Sequence, residues 1–286
     1  MTAPPPRPRP TNLPDYSDPP VDEVVIGISF MSVSGFSTNH VAKYRDLVKA
    51  EFPGLQYQPR LITPLESLTQ EGSSAPPSFG HLGFFTQPFA QPSQRTWLVN
   101  ADDQRVIQIQ DDAFLTNWRR RDLKPYPHFE PLLGEFWERF SLFRDQVVND
   151  TVIRLQAQQL EVTYINWVPF DTAPLSSWFG PAESSRLAVD GTGILPEHVT
   201  WNASYLVRRN DVAVARMHCR QIEALRTGPG APHLGVQLDL TCRAPLAPGA
   251  TDDEINDLAF EARNTIVWGF TSLTTEEGHR NWGRTK

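Results

Sequence analysis

The densest group of side chains able to do chemistry is Asn117-Trp118-Arg119-Arg120-Arg121. An exposed indole beside three guanidinium groups would stack a base and grip phosphates. In the architectural alternative Trp118 enters the core and the arginines are solvated at the end of a strand. A net charge of −7 favours that alternative, because no global positive field draws nucleic acid in. Between the two lies local binding of an acidic protein surface. Asp102, Asp103, Asp111 and Asp112 form two acidic pairs that would suit a divalent cation if they converged. Aspartate is equally a turn residue, and successive hairpin turns point to opposite ends of a sheet, so these four read as turns. His218 and Cys219 are adjacent on a strand and face opposite sides, which rules out a simple ligand pair; Cys219 reads as a small buried hydrophobe. His40, His81, His128, His198, His233 and His279 show no HExxH or H-x-H spacing. The chain has no GxSxG, Walker loop or GxGxxG, and Gly191-Thr192-Gly193 is a bare turn. For a site assembled from distant residues, Tyr164, Asn166 and His128 remain as candidates. No cofactor and no metal is implied, and the motifs lean away from an enzyme.

With 286 residues, 40% hydrophobic and 21% charged, the chain can bury one large core or two modest ones. Cys219 and Cys242 lie outside any CxxC spacing, which suits a reducing compartment and makes the cytoplasm the expected location. No apolar run approaches the roughly 18 residues that span a bilayer, and the N-terminus shows no signal pattern, so no membrane partner is expected.

The elements that must position these residues follow from periodicity. Residues 1–20 hold eight prolines and, among large apolar side chains, only Met1, Leu13 and Tyr16, and read as a disordered tail. PPPRPRP within it also has the form of an SH3-type ligand. VDEVVIGISF from Val21 is a central strand, and residues 38–52 a helix carrying Val41, Tyr44, Val48 and Phe52. Residues 53–93, with seven prolines and a Gly/Ser cluster at 72–78, read as a long loop. Strands at 95–100, 104–110 and 113–119 make an antiparallel meander. After Lys124-Pro125-Tyr126-Pro127, the spacing of Phe129, Leu132, Leu133, Phe136, Phe140, Phe143 and Val147 predicts an amphipathic helix. A long strand covers 152–170, residues 171–195 are loop-like, and three strands between 198 and 244 form a second meander, broken at Asn210-Asp211 and at 228–230. A helix with a capping box from Thr251 to Glu254 follows, then a short terminal helix opened by a box from Thr274 to Glu277. The expected fold is α+β: antiparallel sheet built from two meander-plus-helix units, helices packed mainly on one side. The expected division is a tail at 1–20, an N-terminal unit at 21–170 with its long loop at 53–93, and a C-terminal unit at 171–286 sharing the sheet.

Four segments carry a family resemblance: PPVDEVVIGISF at 19–30, VIQIQDDAFLTNWRRRD with its YPHFEP sequel, LEVTYINWVPF at 160–170, and FTSLTTEEGHRNWG at 270–283. Together they resemble a sporadically distributed family of uncharacterised bacterial proteins with a PP-x-x-E-V strand and Q-x-D-x-F-x-x-N-W-R and Y-I-N motifs. The resemblance spans residues 19–283 and implies no catalytic residue. A patchy distribution implies mobile-element or defence genes. The functional expectation is a non-enzymatic protein-interaction module that binds another protein through its exposed sheet face or the Asn117 to Arg121 edge. The alternatives are an enzyme or nucleotide binder using a pocket between the two units, and a nucleic-acid effector. The oligomeric state, including a homo-oligomer, stays open.

Overall fold

A long strand with apolar residues on both faces must sit in the middle of a sheet, and Val21–Phe30 (β1) does: β5 (Ala113–Arg119) pairs with it on one side and β6 (Ala157–Pro169) on the other. The computed structural model describes residues 4–5, 7–62, 64–68, 94–121, 125–149, 154–169, 178–180, 187–189, 192–194, 200–226 and 233–286. The Gly/Ser cluster at 72–78, Lys124, Gly191 and the loop at 228–230 lie outside these residues. Between β1 and β5 the chain forms α1 (Thr38–Val48), β2 (Gly54–Pro59), β3 (Gln94–Val99) and β4 (Arg105–Gln110). After β5 come α2 (Phe129–Phe143), a π-turn at Arg144–Val148, and β6. The C-terminal half holds a two-strand ribbon, β7 (Leu187–Val189) and β8 (Thr192–Ile194), then β9 (Trp201–Arg209), β10 (Val212–Arg226) and β11 (His233–Pro245). Helices α3 (Asp252–Leu273) and α4 (Glu276–Asn281) end the chain.

Among the described residues the main sheet is antiparallel, in the order β2-β3-β4-β5-β1-β6-β11-β10-β9. The β6–β11 pairing joins the two halves of the chain edge to edge. Alternation puts Val24, Ile26 and Ile28 of β1, Leu160, Val162 and Tyr164 of β6, and Leu240 and Cys242 of β11 in one core cluster. Helix residues Tyr44, Phe136, Phe140, Phe143, Ile255, Ala259 and Ile266 fill the same cluster. Phe114 lies at its densest point, touching Tyr44, Phe136, Phe140 and Phe143 with centroids 5.1–6.2 Å apart. The hairpin at Asn210-Asp211 has φ of +47° and +62° in succession, the two left-handed residues that a tight β-turn requires. Among the described residues no helix is long and apolar enough to cross a membrane.

Several expectations need correction. The leader is not disordered where it is described: Leu13 is fully buried, Tyr16 is 7% exposed, and Ser17 and Asp18 donate backbone hydrogen bonds to Gly283 and Trp282. Proline lowers the entropy lost on ordering such a segment, so two anchors and a short ladder suffice. Residues 54–59 are an edge strand on β3 rather than loop; only Leu55 packs on the core, so the segment lacks the alternation that marks a buried strand. The segment read as loop at 171–195 contains the β7–β8 ribbon. The terminal helix is capped by Thr275, whose hydroxyl accepts from the Gly278 amide, one residue later than the box at Thr274. The other box forms as read: the Glu254 amide donates to Thr251 Oγ1 at 3.2 Å and the Thr251 amide to Glu254 Oε2 at 2.7 Å. Thr251→Ala is expected to cost about 1 kcal/mol of unfolding free energy, read from urea melts.

Candidate peptide-binding face of the sheet

The face of the sheet opposite the main core carries polar residues: Gln108 and Gln110 on β4, Asn117 and Arg119 on β5, Gln159, Glu161 and Thr163 on β6, Thr241 and Arg243 on β11, and Arg216 and His218 on β10. The register places Thr163 beside Thr241 and Thr241 beside His218, and the two threonine hydroxyls are 2.8 Å apart. A small apolar patch, Val25, Ala113 and Leu115, interrupts this face.

A stretch of the chain itself crosses it. Leaving β2, the described residues 60–62 and 64–68 make contacts from the β4–β5 turn to β10. Four kinds of contact hold the segment. Arg60 donates to both Asp111 and Asp112, so the second acidic turn is a guanidinium clamp. Leu61 packs on the Val25, Ala113 and Leu115 patch. Two glutamines hold the segment's main chain. Gln110, 1% exposed, accepts from the Leu61 amide at 3.2 Å and donates to the Leu61 carbonyl at 2.9 Å. Gln159, also 1% exposed, accepts from the Glu66 amide at 2.7 Å and donates to the Pro64 carbonyl at 3.1 Å. Each side-chain amide thus supplies the acceptor and donor that a neighbouring strand would.

Glu66 closes the far end. Its carboxylate accepts from Arg216 and from His218 Nε2 at 2.6 Å, with Arg243 Nη1 at 3.7 Å. Burial pushes the Glu66 carboxyl up, but the hydrogen bonds and charges of His218 and Arg216 outweigh it and hold the group below the ordinary glutamate value. An ionised carboxylate only accepts, so His218 Nε2 bears the proton that faces it, and Nδ1 lies 2.9 Å from the Ser204 hydroxyl. Ser204, His218 and Glu66 have the connectivity of a nucleophile relay. Here, however, the carboxylate is shared with two arginines, so its charge goes to holding the segment.

Asn117 to Arg121 divide between the faces. Trp118 is 3% exposed in the main core, 5.4 Å from the Tyr126 ring, so the exposed stacking platform is absent. Asn117 is buried on the polar face, accepting from Gln108 Nε2 at 2.6 Å and donating to Glu23. Arg119 lies 4.6 Å over the Trp97 ring and pairs with Glu23 and Asp103. Arg120 donates to the Val21 and Pro19 carbonyls, each at 2.9 Å, and Arg121 to Asp103 at 2.8 Å. The arginines are paired with the protein's own acidic turn and β1 lead-in, with Arg121 still partly exposed to solvent. The two acidic turns serve different guanidinium groups, in keeping with their opposite ends of the hairpins. Cys219 and Cys242 are buried, and burial pushes both thiols up to about 12. Glu66, Gln110 and Gln159 were missed by sequence reading: each lies 49 to 152 positions from the groups it holds or answers, and no local spacing signals such a pair.

The chain matches no protein-family profile and no curated protein.

Proposed function

We propose that this protein is a non-enzymatic protein-interaction module whose polar sheet face recognises an extended peptide, with residues 60–66 occupying the site in cis. The observation that carries this reading is the double main-chain clamp by Gln110 and Gln159, flanked by an acidic pocket for Arg60 and a basic nest for Glu66. Main-chain bonds supply affinity and pockets for alternate side chains supply specificity, as in strand-addition recognition. Ile62 and Leu65 point outward, 82% and 54% exposed, while Leu61 packs on the sheet and the Glu66 carboxylate enters its basic nest, as expected of a bound extended peptide. The preferred partner carries a basic residue, then an apolar one, then an acidic residue six positions after the first. Two meander-plus-helix units, β3 to β5 with α2 and β9 to β11 with α3, form the scaffold of this reading, with the helices on the other side.

A labelled synthetic peptide of residues 59–67 tests it by fluorescence anisotropy. An Arg60→Ala/Glu66→Ala protein is expected to bind the peptide with a Kd of roughly micromolar order, and the unmodified protein at least about tenfold more weakly, because the cis segment competes at an effective concentration in the millimolar range. Equal binding to both proteins, or no binding to a variant whose circular dichroism is native, would remove the proposal.

A further inference from the structure

The main sheet ends at β9, and among the described residues no strand pairs with its outer side. An open edge offers a row of amides and carbonyls to any other strand, and monomeric proteins guard theirs with proline, bulges, charge or brevity. The edge at β2 is guarded: it is six residues long, ends on Pro59 and leads into the segment clamped across the polar face. β9 has little of this protection. It runs nine residues without proline or glycine, the register shift against β10 comes from an extra residue in β10, and the stretch from Trp201 to Val207 carries no charge. None of its side chains is buried, and Tyr205 and Leu206 are 43% and 37% exposed.

Pairing with β10 assigns the faces of β9. Tyr205 stands opposite Met217 and Ala203 opposite Cys219, both core residues, so Trp201, Ala203, Tyr205, Val207 and Arg209 are on the helix side. Asn202, Ser204, Leu206 and Arg208 are on the polar side. Arg209 accordingly reaches Glu261 of α3. Trp268, 43% exposed, lies two turns beyond Glu261 on the same flank of that helix. Its neighbour Gly269 packs directly on Met217, where a Cβ would come within 2.7 Å of Cε. An apolar strip of Tyr205 and Trp268 thus runs beside the open edge.

Taken in opposite directions, the strand complements itself. When two copies of β9 pair antiparallel, residues of the same face stand opposite each other, and one register pairs all nine, with Tyr205 on the two-fold axis. Trp201 then faces Arg209 of the second copy, a cation beside an indole, twice by symmetry. Ala203 faces Val207, Asn202 faces Arg208, Ser204 faces Leu206, and the two Tyr205 rings meet at the axis. The only charges, Arg208 and Arg209, sit at one end, so this pairing carries the two copies of Arg209 about 27 Å apart, whereas a parallel pairing would set them side by side. A strand of another protein could use the same amides, but it would not account for two ends that match each other. We infer that β9 is the contact of a homodimer, in which two copies join their sheets antiparallel about a two-fold axis at Tyr205. A ladder about 30 Å long with side chains on both faces buries on the order of 1,000 Å² in total, at the low end for a specific interface, which sets a Kd of roughly micromolar order.

The test is sedimentation equilibrium of the full chain between about 0.5 and 100 µM, where a monomer–dimer equilibrium is expected. Tyr205→Lys, which sets two ammonium groups against each other on the axis, is expected to weaken the dimer at least about thirtyfold, and Tyr205→Phe, which keeps the ring, to leave it within about threefold. Among the nine positions only 205 stands opposite itself. With a short bis-maleimide, Tyr205→Cys is therefore expected to cross-link two chains, and Asn202→Cys, about 20 Å from its own copy, is not. The native Cys219 and Cys242 are buried, and the unmodified chain serves as the blank. A chain monomeric throughout this range, growth beyond the dimer, a dimer indifferent to Tyr205→Lys, or cross-linking equal at 202 and 205 would overturn the inference. The cross-linking pair decides it alone if the lysine variant lacks native circular dichroism. None of these outcomes bears on the peptide proposal, whose clamp lies on β4 and β6.

Discussion

Phe114→Ala is expected to remove about 3–5 kcal/mol of unfolding free energy, the range for truncating a fully buried aromatic residue. Phe114 is 0% exposed and touches one aromatic ring from α1 and three from α2. The contact with Phe143 is stacked, with an interplanar angle of 28°, and that with Tyr44 is edge-on at 88°. Rings in such geometries add about 0.5–1.5 kcal/mol beyond the area they bury, and alanine forfeits these terms together with the transfer term. The cavity left behind is walled by two helices and a sheet, none of which can collapse inward without breaking its other contacts. Natural domains are stable by only about 5–15 kcal/mol, so the variant should sit near its limit, with a melting temperature lower by roughly 10 °C. Urea melts followed by tryptophan fluorescence measure this directly. A loss below about 1 kcal/mol would mean that the helices do not close over β5 as described.

Glu66→Gln is expected to release the segment at residues 60–68 and to cost about 2–3 kcal/mol near neutral pH, the range for hydrogen bonds between charged partners in a mostly buried setting. The glutamine keeps the shape but not the charge, leaving Arg216 and His218 facing a neutral amide while Arg243 retains Glu161 at 2.6 Å. The cost should depend on pH in a defined direction. Burial alone would raise the Glu66 carboxyl, but His218 and Arg216 hold it below its unfolded value. A group lowered on folding contributes stability that is complete above the unfolded glutamate value and drains away as pH falls through the folded one. The gap between the unmodified protein and the variant should therefore be widest at neutral pH and close in acid below the ordinary carboxylate range. Paired chemical melts across that range give the gap, and limited proteolysis at residues 60–68 reports release of the segment. A gap that stays constant into strong acid would show that the charge of Glu66 contributes nothing.

Much of the scaffold was legible because local period and burial agree. Phe129, Leu132, Leu133, Phe136, Phe140 and Phe143 recur with helical spacing and all are buried along α2. Leu160, Val162 and Tyr164 alternate with Glu161 and Thr163 along β6, and the strand places the first set in the core and the second on the polar face. The turn aspartates were legible for the same reason, since a tight hairpin asks for residues of their kind. Less was legible where a residue's partner is remote. The basic cluster at Asn117 to Arg121 looked free because its acceptors, Asp103, Glu23 and the Pro19 and Val21 carbonyls, belong to other strands or lead-ins. The leader looked disordered because its own composition cannot form a core; it borrows one from α3 and from residues 282–285.

What the sequence by itself determined is the alternation of apolar and polar residues at periods of two and 3.6, hence the strands, the helices, the antiparallel class and the side of each strand that seeks the core. What only the tertiary structure decided is the use of the polar side chains. Gln110 and Gln159 carry no local signal of their role, which exists only because a segment 49 or 93 positions away lies across them. The physical reason is that burial of apolar area is non-directional and sums along a local stretch, whereas a hydrogen bond needs one particular partner at about 3 Å, and only chain topology brings that partner in.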